Sequence, residues 1–280
     1  MKINKSLFGA VVGDIIGSSY ERKRDRIKTT KFDLFTERSQ FTDDTVLTAA
    51  IAKWLMIDVN NVDVLRKSLH ETGLWYFDPN SFTYGIGFTT WLLQEARAVI
   101  LRLPHVAGQS HGNGSAMRVS PVGLYAESLE EALRLATTTA EITHFQPEGI
   151  RGAKAIAGCV FLAKTGEPKS RIKDFMTELG YDMDRTIEEI RPTYRFRDTC
   201  EESVPEAVMA YLEGQTFEEV IRLVVSLGGD ADTQGAMACS IAAVTPGMEI
   251  PDDIFEKCYG LLDDNLKNIF LKFDTFLSSR

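Results

Sequence analysis

Cysteine and histidine are scarce in this chain, and neither is patterned. The four cysteines, Cys159, Cys200, Cys239 and Cys258, form no C-x-x-C pair, and none of the four histidines stands at zinc-ligand spacing from them. A disulfide framework and a zinc site are therefore not expected. Positive charge is also short: Lys and Arg number 31 against 40 Asp and Glu, a formal net charge of −9. That sign is wrong for a protein held to nucleic-acid phosphates or to an anionic membrane surface. Long apolar runs are missing, since no stretch reaches the ~18 charge-free residues that span a bilayer. The short apolar N-terminal run contains Asp14 and lacks a small-x-small cleavage site, so no signal peptide is read. Strand signals are sparse as well. Only residues 191–200 read as a short extended piece, and there is no β-α-β rhythm, internal repeat or low-complexity tract. The composition is ordinary globular, 44% hydrophobic and 25% charged, and the expectation is a reduced, cytoplasmic protein that acts as a monomer. Its 280 residues fit one large domain or two smaller ones.

Helical periodicity dominates. Val46, Leu47, Ala50, Ile51, Trp54 and Leu55 fall at helix spacing and make one apolar stripe. Three segments open with a hydroxyl followed three residues later by a glutamate, the pattern of a reciprocal capping box: Ser128 with Glu131, Thr186 with Glu189, and Thr216 with Glu219. Pro205 suits a first helical position and Gly214 the end of that helix, while Gly228 closes the helix before it. Residues 251–278 read as one or two amphipathic helices. The most polar stretch, residues 21–40, reads as a surface loop or lid. The expectation is a single all-α domain over residues 1–280.

Two loops carry more oxygen than structure alone requires. One is Thr42-Asp43-Asp44-Thr45; the other is Gly229-Asp230-Ala231-Asp232-Thr233. Either one alone reads as a helix N-cap, with a side-chain acceptor taking the free N–H groups of the first turn. A cap needs one acceptor, however, and neighbouring aspartates repel unless a positive charge lies between them. A hard divalent cation such as Mg²⁺ or Mn²⁺ takes oxygen ligands and is the natural neutraliser. An EF-hand beginning at Asp230 fails, because Gln234 stands where an acid or Asn is required and Ile241 where a Glu is required. A D-D-x-x-D motif from Asp43 meets Leu47, and a D-x-D-x-T motif from Asp230 meets Gln234. A third loop, residues 111–118, holds Asn113 between glycines. It reads as a tight turn or as a phosphate-binding concavity, with Arg118 adding charge for a phosphate or a loop-ordering ion pair. Glu21 reads as a surface carboxylate beside Arg22, Lys23 and Arg24, or as a general base. His144 is a candidate ligand contact at a helix end. His70, His105 and His111 offer no pattern.

The order of these pieces resembles the ADP-ribosylglycohydrolase family. The likeness runs from GAVVGDIIGSSYE (residues 9–21) through FTDDT, GNGSAMR and THFQPEGIRGAKAIA to SLGGDADTQGAMA (residues 226–238), and so covers nearly the whole chain. It implies an all-α, single-domain hydrolase with an orthogonal helical arrangement and a binuclear centre of two Mg²⁺ or Mn²⁺ ions. By motif, Thr42, Asp43 and Asp44 would bind one ion. Asp230, Asp232 and Thr233 would complete the second, with Asp232 bridging. Asn113, Gly114, Ser115 and Met117 would line an ADP-ribose cleft with His144 near it, and Glu21 resembles the acidic residue of the catalytic loop. The implied reaction is hydrolysis of the glycosidic bond of ADP-ribosylated protein or small-molecule conjugates, with arginine linkage favoured over serine. Two other readings stay open: a catalytically silent ADP-ribose binder, and a metal-dependent hydrolase of another phosphorylated nucleoside or sugar.

Overall fold

A computed structural model describes residues 3–79 and 84–280. Its helices are α1 (Gly9–Gly17), α2 (Asp43–Ile57), α3 (Val62–Trp75), α4 (Ile86–Leu101), α5 (Gly114–Met117), α6 (Ser120–Tyr125), α7 (Leu129–Glu141) and α8 (Pro147–Lys164). They continue as α9 (Lys169–Glu178), α10 (Ile187–Ile190), α11 (Cys200–Glu213), α12 (Phe217–Val225), α13 (Ala231–Ala242), α14 (Asp252–Leu261) and α15 (Asp264–Ser278). The described residues contain no strand, as an all-α fold requires, and residues 251–278 resolve into two helices. The expected extended piece before Cys200 survives as one bridging pair, Thr199 with Gly112. No helix among the described residues is long and apolar enough to cross a membrane.

Helix ends follow the sequence with two corrections. Only Thr186 and Glu189 form the reciprocal capping box. Ser128 and Thr216 do accept from the backbone of Glu131 and Glu219, but those carboxylates reach past the cap residue to the N–H groups of Glu127 and Gln215. Pro205 is not a first-turn residue either. Helix α11 begins at Cys200, with Glu201 and Glu202 in its first turn, so the proline sits inside. Two carboxylates at the positive helix end favour the earlier start over the proline signal. Gly228, at φ +61°, closes α12 as expected, because a left-handed residue there strains any side chain.

The core is one cluster of buried apolar side chains, with Trp54, Trp91, Tyr211 and Phe270 among its largest members. At its centre α1 packs antiparallel on α13. A Cβ on Gly9 would meet the Cys239 carbonyl, on Gly13 the Gly235 carbonyl and on Gly17 the Ala231 carbonyl, at 2.4, 2.0 and 2.2 Å. Only glycine lets the two backbones approach this closely. The pairing sets the end of α1 beside the start of α13. Helix α2 starts at the same place, since Asp14 on α1 accepts the backbone N–H groups of Thr42 and Thr45 at 2.9 and 3.1 Å. Three helix ends thus converge on one point. The polar stretch 21–40 runs over this region and is tied down. Arg222 donates to the carbonyls of Thr30 and Phe32, Lys28 to those of Tyr194 and Leu227, and Tyr20 to that of Asp33.

Candidate metal centre and active site

The convergence joins the two acidic loops. The Thr233 hydroxyl on α13 donates to Asp44 Oδ2 on α2 at 3.3 Å, across most of the chain length. Asp14, Asp44 and Asp232 form one group of carboxylates, and Glu21, Asp230 and Asp232 form another. Within each group one oxygen from each carboxylate lies within 4.8 Å of the others. Asp232 belongs to both. Except for Glu21, which is partly exposed, all of these side chains are buried.

Helix capping does not account for these acids. Thr42 fills the cap of α2 by accepting from the Asp44 N–H. Asp230, at the cap position of α13, makes no cap hydrogen bond; its Oδ2 instead accepts from Asn113 Nδ2 at 2.7 Å. Asp44 Oδ1 is buried with no hydrogen-bond partner. The Thr42 hydroxyl, with one proton, lies 2.7 Å from Asp14 Oδ1 and 3.1 Å from Asp44 Oδ2, and cannot satisfy both at once. Burial pushes the Asp14 and Asp230 carboxyls up to about 6. Asp43 rises to about 8 through burial and the neighbouring Asp14 charge. Asp44 and Asp232 rise well above the usual range, first by burial and then by the surrounding acids. Such a set needs protons or cations to stay folded. An orphaned carboxylate oxygen, oxygen-only donors and one shared aspartate fit hard divalent cations.

The carboxylates floor a cleft of about 520 Å³. Its walls include Asn113, Gly114, Met117, His144 and Phe196, with Glu21, Asp43, Asp230, Asp232 and Thr233 below. A larger groove of about 860 Å³, walled by Trp75, Ile57 and Ile269, carries no carboxylate cluster. The structure thus brings Thr42, Asp44, Asp230, Asp232, Thr233 and Glu21 together. Asp43 lines the cleft but joins neither group of three. Ser115 points the other way: it is fully buried, and its hydroxyl donates to the Gly149 carbonyl at 2.8 Å. Arg118 forms no ion pair with a carboxylate among the described residues. It is fully buried in the cleft wall and donates to the Thr139 carbonyl and the Thr143 hydroxyl rather than to a carboxylate.

The ADP-ribosylglycohydrolase family model matches residues 1–275. The chain belongs to the ADP-ribosylglycohydrolase family. The ADP-ribosylhydrolase ARH3 of Bos taurus is 29% identical over 341 aligned residues, covering 95% of this chain and 92% of its own. The ADP-ribosylarginine hydrolase Tri1 of Serratia proteamaculans is 22% identical, covering 88% and 72%. A solved ADP-ribosylglycohydrolase-related protein shares the fold at a TM-score of 0.70 and 22% identity, covering 97% of this chain and 96% of its own. The protein is an ADP-ribosylglycohydrolase, an enzyme of a metal-dependent family that acts on ADP-ribosylated substrates.

Two features of this hydrolase escaped sequence reasoning. Asp14 was visible without a role, although a carboxylate inside the apolar run GAVVGDIIG is itself anomalous. Asn113 is expected in a tight turn, a phosphate-binding concavity or the cleft wall and does line the cleft; what the sequence does not show is that its amide joins Asp230 at 2.7 Å and the Ser203 hydroxyl at 3.2 Å. No local signal connects those positions.

Proposed function

We propose that residues 1–280 act as one catalytic domain that hydrolyses the bond between C1″ of ADP-ribose and an acceptor side chain. The observation that carries this reading is Asp232 standing in two carboxylate groups at the floor of a cleft walled by Asn113, Gly114, Met117 and His144. Two Mg²⁺ or Mn²⁺ ions would be held by Thr42, Asp43, Asp44, Asp230, Asp232 and Thr233, with Asp14 packed against the first set. Bound there, they would anchor the ribose diol and lower the pKa of the attacking water.

The chain's own residues do the rest. Asn113 orients Asp230 through its amide. Glu21 lies at the partly exposed edge of its carboxylate group, and burial raises its pKa. That suits a base which takes a proton from water and returns it to the leaving group as the C1″ bond breaks. Carboxylates around the ribose also favour the oxocarbenium-like charge of that transition state. We favour arginine-linked substrate over serine-linked, because exposed Asp198 and partly exposed Glu21 line the same cleft and suit a guanidinium. We place the enzyme in the cytoplasm as a monomer, in keeping with its four unpaired cysteines, and without a nucleic-acid partner, in keeping with its charge of −9.

The test is ADP-ribose release from arginine-linked and serine-linked conjugates, with EDTA and with added Mg²⁺ or Mn²⁺. Metal-dependent release from one conjugate is expected. Tight ADP-ribose binding without release would make the protein a reader, and neither release nor binding would direct attention to other phosphorylated nucleosides or sugars.

A further inference from the structure

We infer that Arg118 and Thr143 are positioning residues that hold His144 as the neutral Nε2–H tautomer, so that its ring offers a hydrogen-bond donor to an oxygen of the substrate in the cleft. The substrate part of this inference rests on the function proposed above; the tautomer does not.

The chain of donors leaves one arrangement. Arg118 Nη2 lies 3.0 Å from the Thr139 carbonyl and 2.7 Å from Thr143 Oγ1. A guanidinium can only donate, so Thr143 Oγ1 accepts from it. The single hydroxyl proton of Thr143 is then left for its other neighbour, His144 Nδ1, at 2.7 Å. Nδ1 accepts and carries no proton. Burial, reinforced by the Arg118 charge and then by His111, holds the imidazole pKa well below its ordinary value. The ring is therefore neutral, and its one proton lies on Nε2.

Packing keeps the ring in this pose. A Cβ on Gly114 would stand 3.1 Å from Cε1 and Nε2, and one on Gly149 would stand 2.8 Å from the Cβ and carbonyl of His144. The backbone is fixed by Ser110 N–H to the Thr143 carbonyl at 3.0 Å and His144 N–H to the Ala140 carbonyl at 2.7 Å. His144 lines the cleft, and its Nε2 has no hydrogen-bond partner among the described residues. The group it can serve is an acceptor, a phosphoryl or hydroxyl oxygen of the ADP-ribose unit. Arg118 stands behind it, with Nε and Nη1 buried and unpartnered. Its charge acts through the Thr143 hydroxyl and polarises the donor without entering the cleft as a competing ion pair.

The experiment is nitrogen NMR of the full chain labelled with ¹⁵N-histidine, in Mg²⁺, with His144 assigned by loss of its signals in His144→Gln. The wild type and Thr143→Ser are expected to show a proton bonded to Nε2 and none on Nδ1. Thr143→Val is expected to lose that fixed pattern. In parallel, ADP-ribose binding should weaken about tenfold in Thr143→Val and recover in Thr143→Ser, the loss of one oriented hydrogen bond. A wild-type proton on Nδ1, or an unchanged tautomer in Thr143→Val, overturns the inference. If Thr143→Val fails to fold, the wild-type spectrum still decides. If no conjugate is hydrolysed and ADP-ribose does not bind, the proposed function fails while the spectrum reports on the tautomer independently.

Discussion

Replacing Gly13 by alanine tests whether helix packing sets the carboxylate geometry. The added Cβ would lie 2.0 Å from the Gly235 carbonyl oxygen, where ordinary contact begins near 3.4 Å. That neighbour is backbone on a buried helix and cannot swing aside, so α1 and α13 must part by about 1.4 Å. Overpacking of this kind costs about 1–3 kcal/mol, less up to ~1 kcal/mol returned because alanine favours the helix. At about 2 °C per kcal/mol for a chain of this length, the expected result is a drop in melting temperature of up to roughly 6 °C. The larger effect falls on the site. Asp14 follows Gly13 on α1 and Asp232 lies one turn before Gly235 on α13, so the displacement enters the group that contains both. Mg²⁺ demands near-ideal octahedral geometry at about 2.1 Å, so affinity should fall at least tenfold by order of magnitude. Calorimetric melts and metal titrations on Gly13→Ala measure both. Gly260→Ala in α14 is the control, because a Cβ there meets nothing within 4 Å. A Gly13→Ala protein that melts within about a degree of wild type and binds Mg²⁺ or Mn²⁺ normally would refute the argument.

Further expectations concern the acids themselves. Asp232→Ala should abolish turnover and the binding of both ions while leaving the far-UV helical signal, whereas Asp14→Asn should spare the group built on Glu21 and Asp230; titration stoichiometry separates them. Glu21→Gln should lower kcat by about 10²–10⁴ while ADP-ribose affinity stays within about threefold, and an unchanged kcat would return Glu21 to a surface carboxylate. The metal-free protein should lose stability between pH 6.5 and 8. Asp43 titrates at about 8 when folded against 3.8 for a free aspartate, so the folded state holds a proton that the unfolded chain has released, and the stability tied to that proton vanishes as pH rises through 8. Above 6.5 the opposing contribution of buried, neutral His144 is saturated. Melts of EDTA-treated protein should therefore fall over that window, and added Mg²⁺ or Mn²⁺ should raise the melting temperature more at pH 8 than at 6.5. A melting temperature that climbs over the same window without metal would contradict the burial of protonated carboxylates.

Local signals in the chain were legible because they act locally. The Thr42 cap and the pairing of Thr186 with Glu189 need only a few residues, and both form. The all-α class was likewise visible in apolar periodicity. Misreadings arose where two local rules competed or where geometry is global. Pro205 lost to the acidic first turn at Glu201 and Glu202. Ser115 reads as a cleft residue from its neighbours Asn113 and Gly114, yet each helical residue is rotated by about 100° from the one before, which turns the hydroxyl toward Gly149. Asp14 gained its meaning only when α1 packed antiparallel on α13, which spacing along the chain cannot announce. The acidic loops were readable as a pair because their composition exceeded what capping can use. Their contact through Thr233 and Asp44 is a tertiary fact.

An acidic protein that handles a diphosphate must reverse its own field locally, and the fold shows how this is arranged. The carboxylates sit where two helices, α2 and α13, begin, so the positive ends of both point toward the negative cluster. That alone does not neutralise them, since burial still drives Asp44 and Asp232 well above the ordinary carboxylate range. Divalent cations bound in the proposed site would make up that deficit, because every proton displaced from a raised carboxyl would be replaced by a charge that holds the three helix ends together. Metal binding and tertiary packing are then one equilibrium, so a mutation between α1 and α13 and a chelator should weaken the same structure. Non-additive losses from Gly13→Ala and metal removal would show that coupling directly.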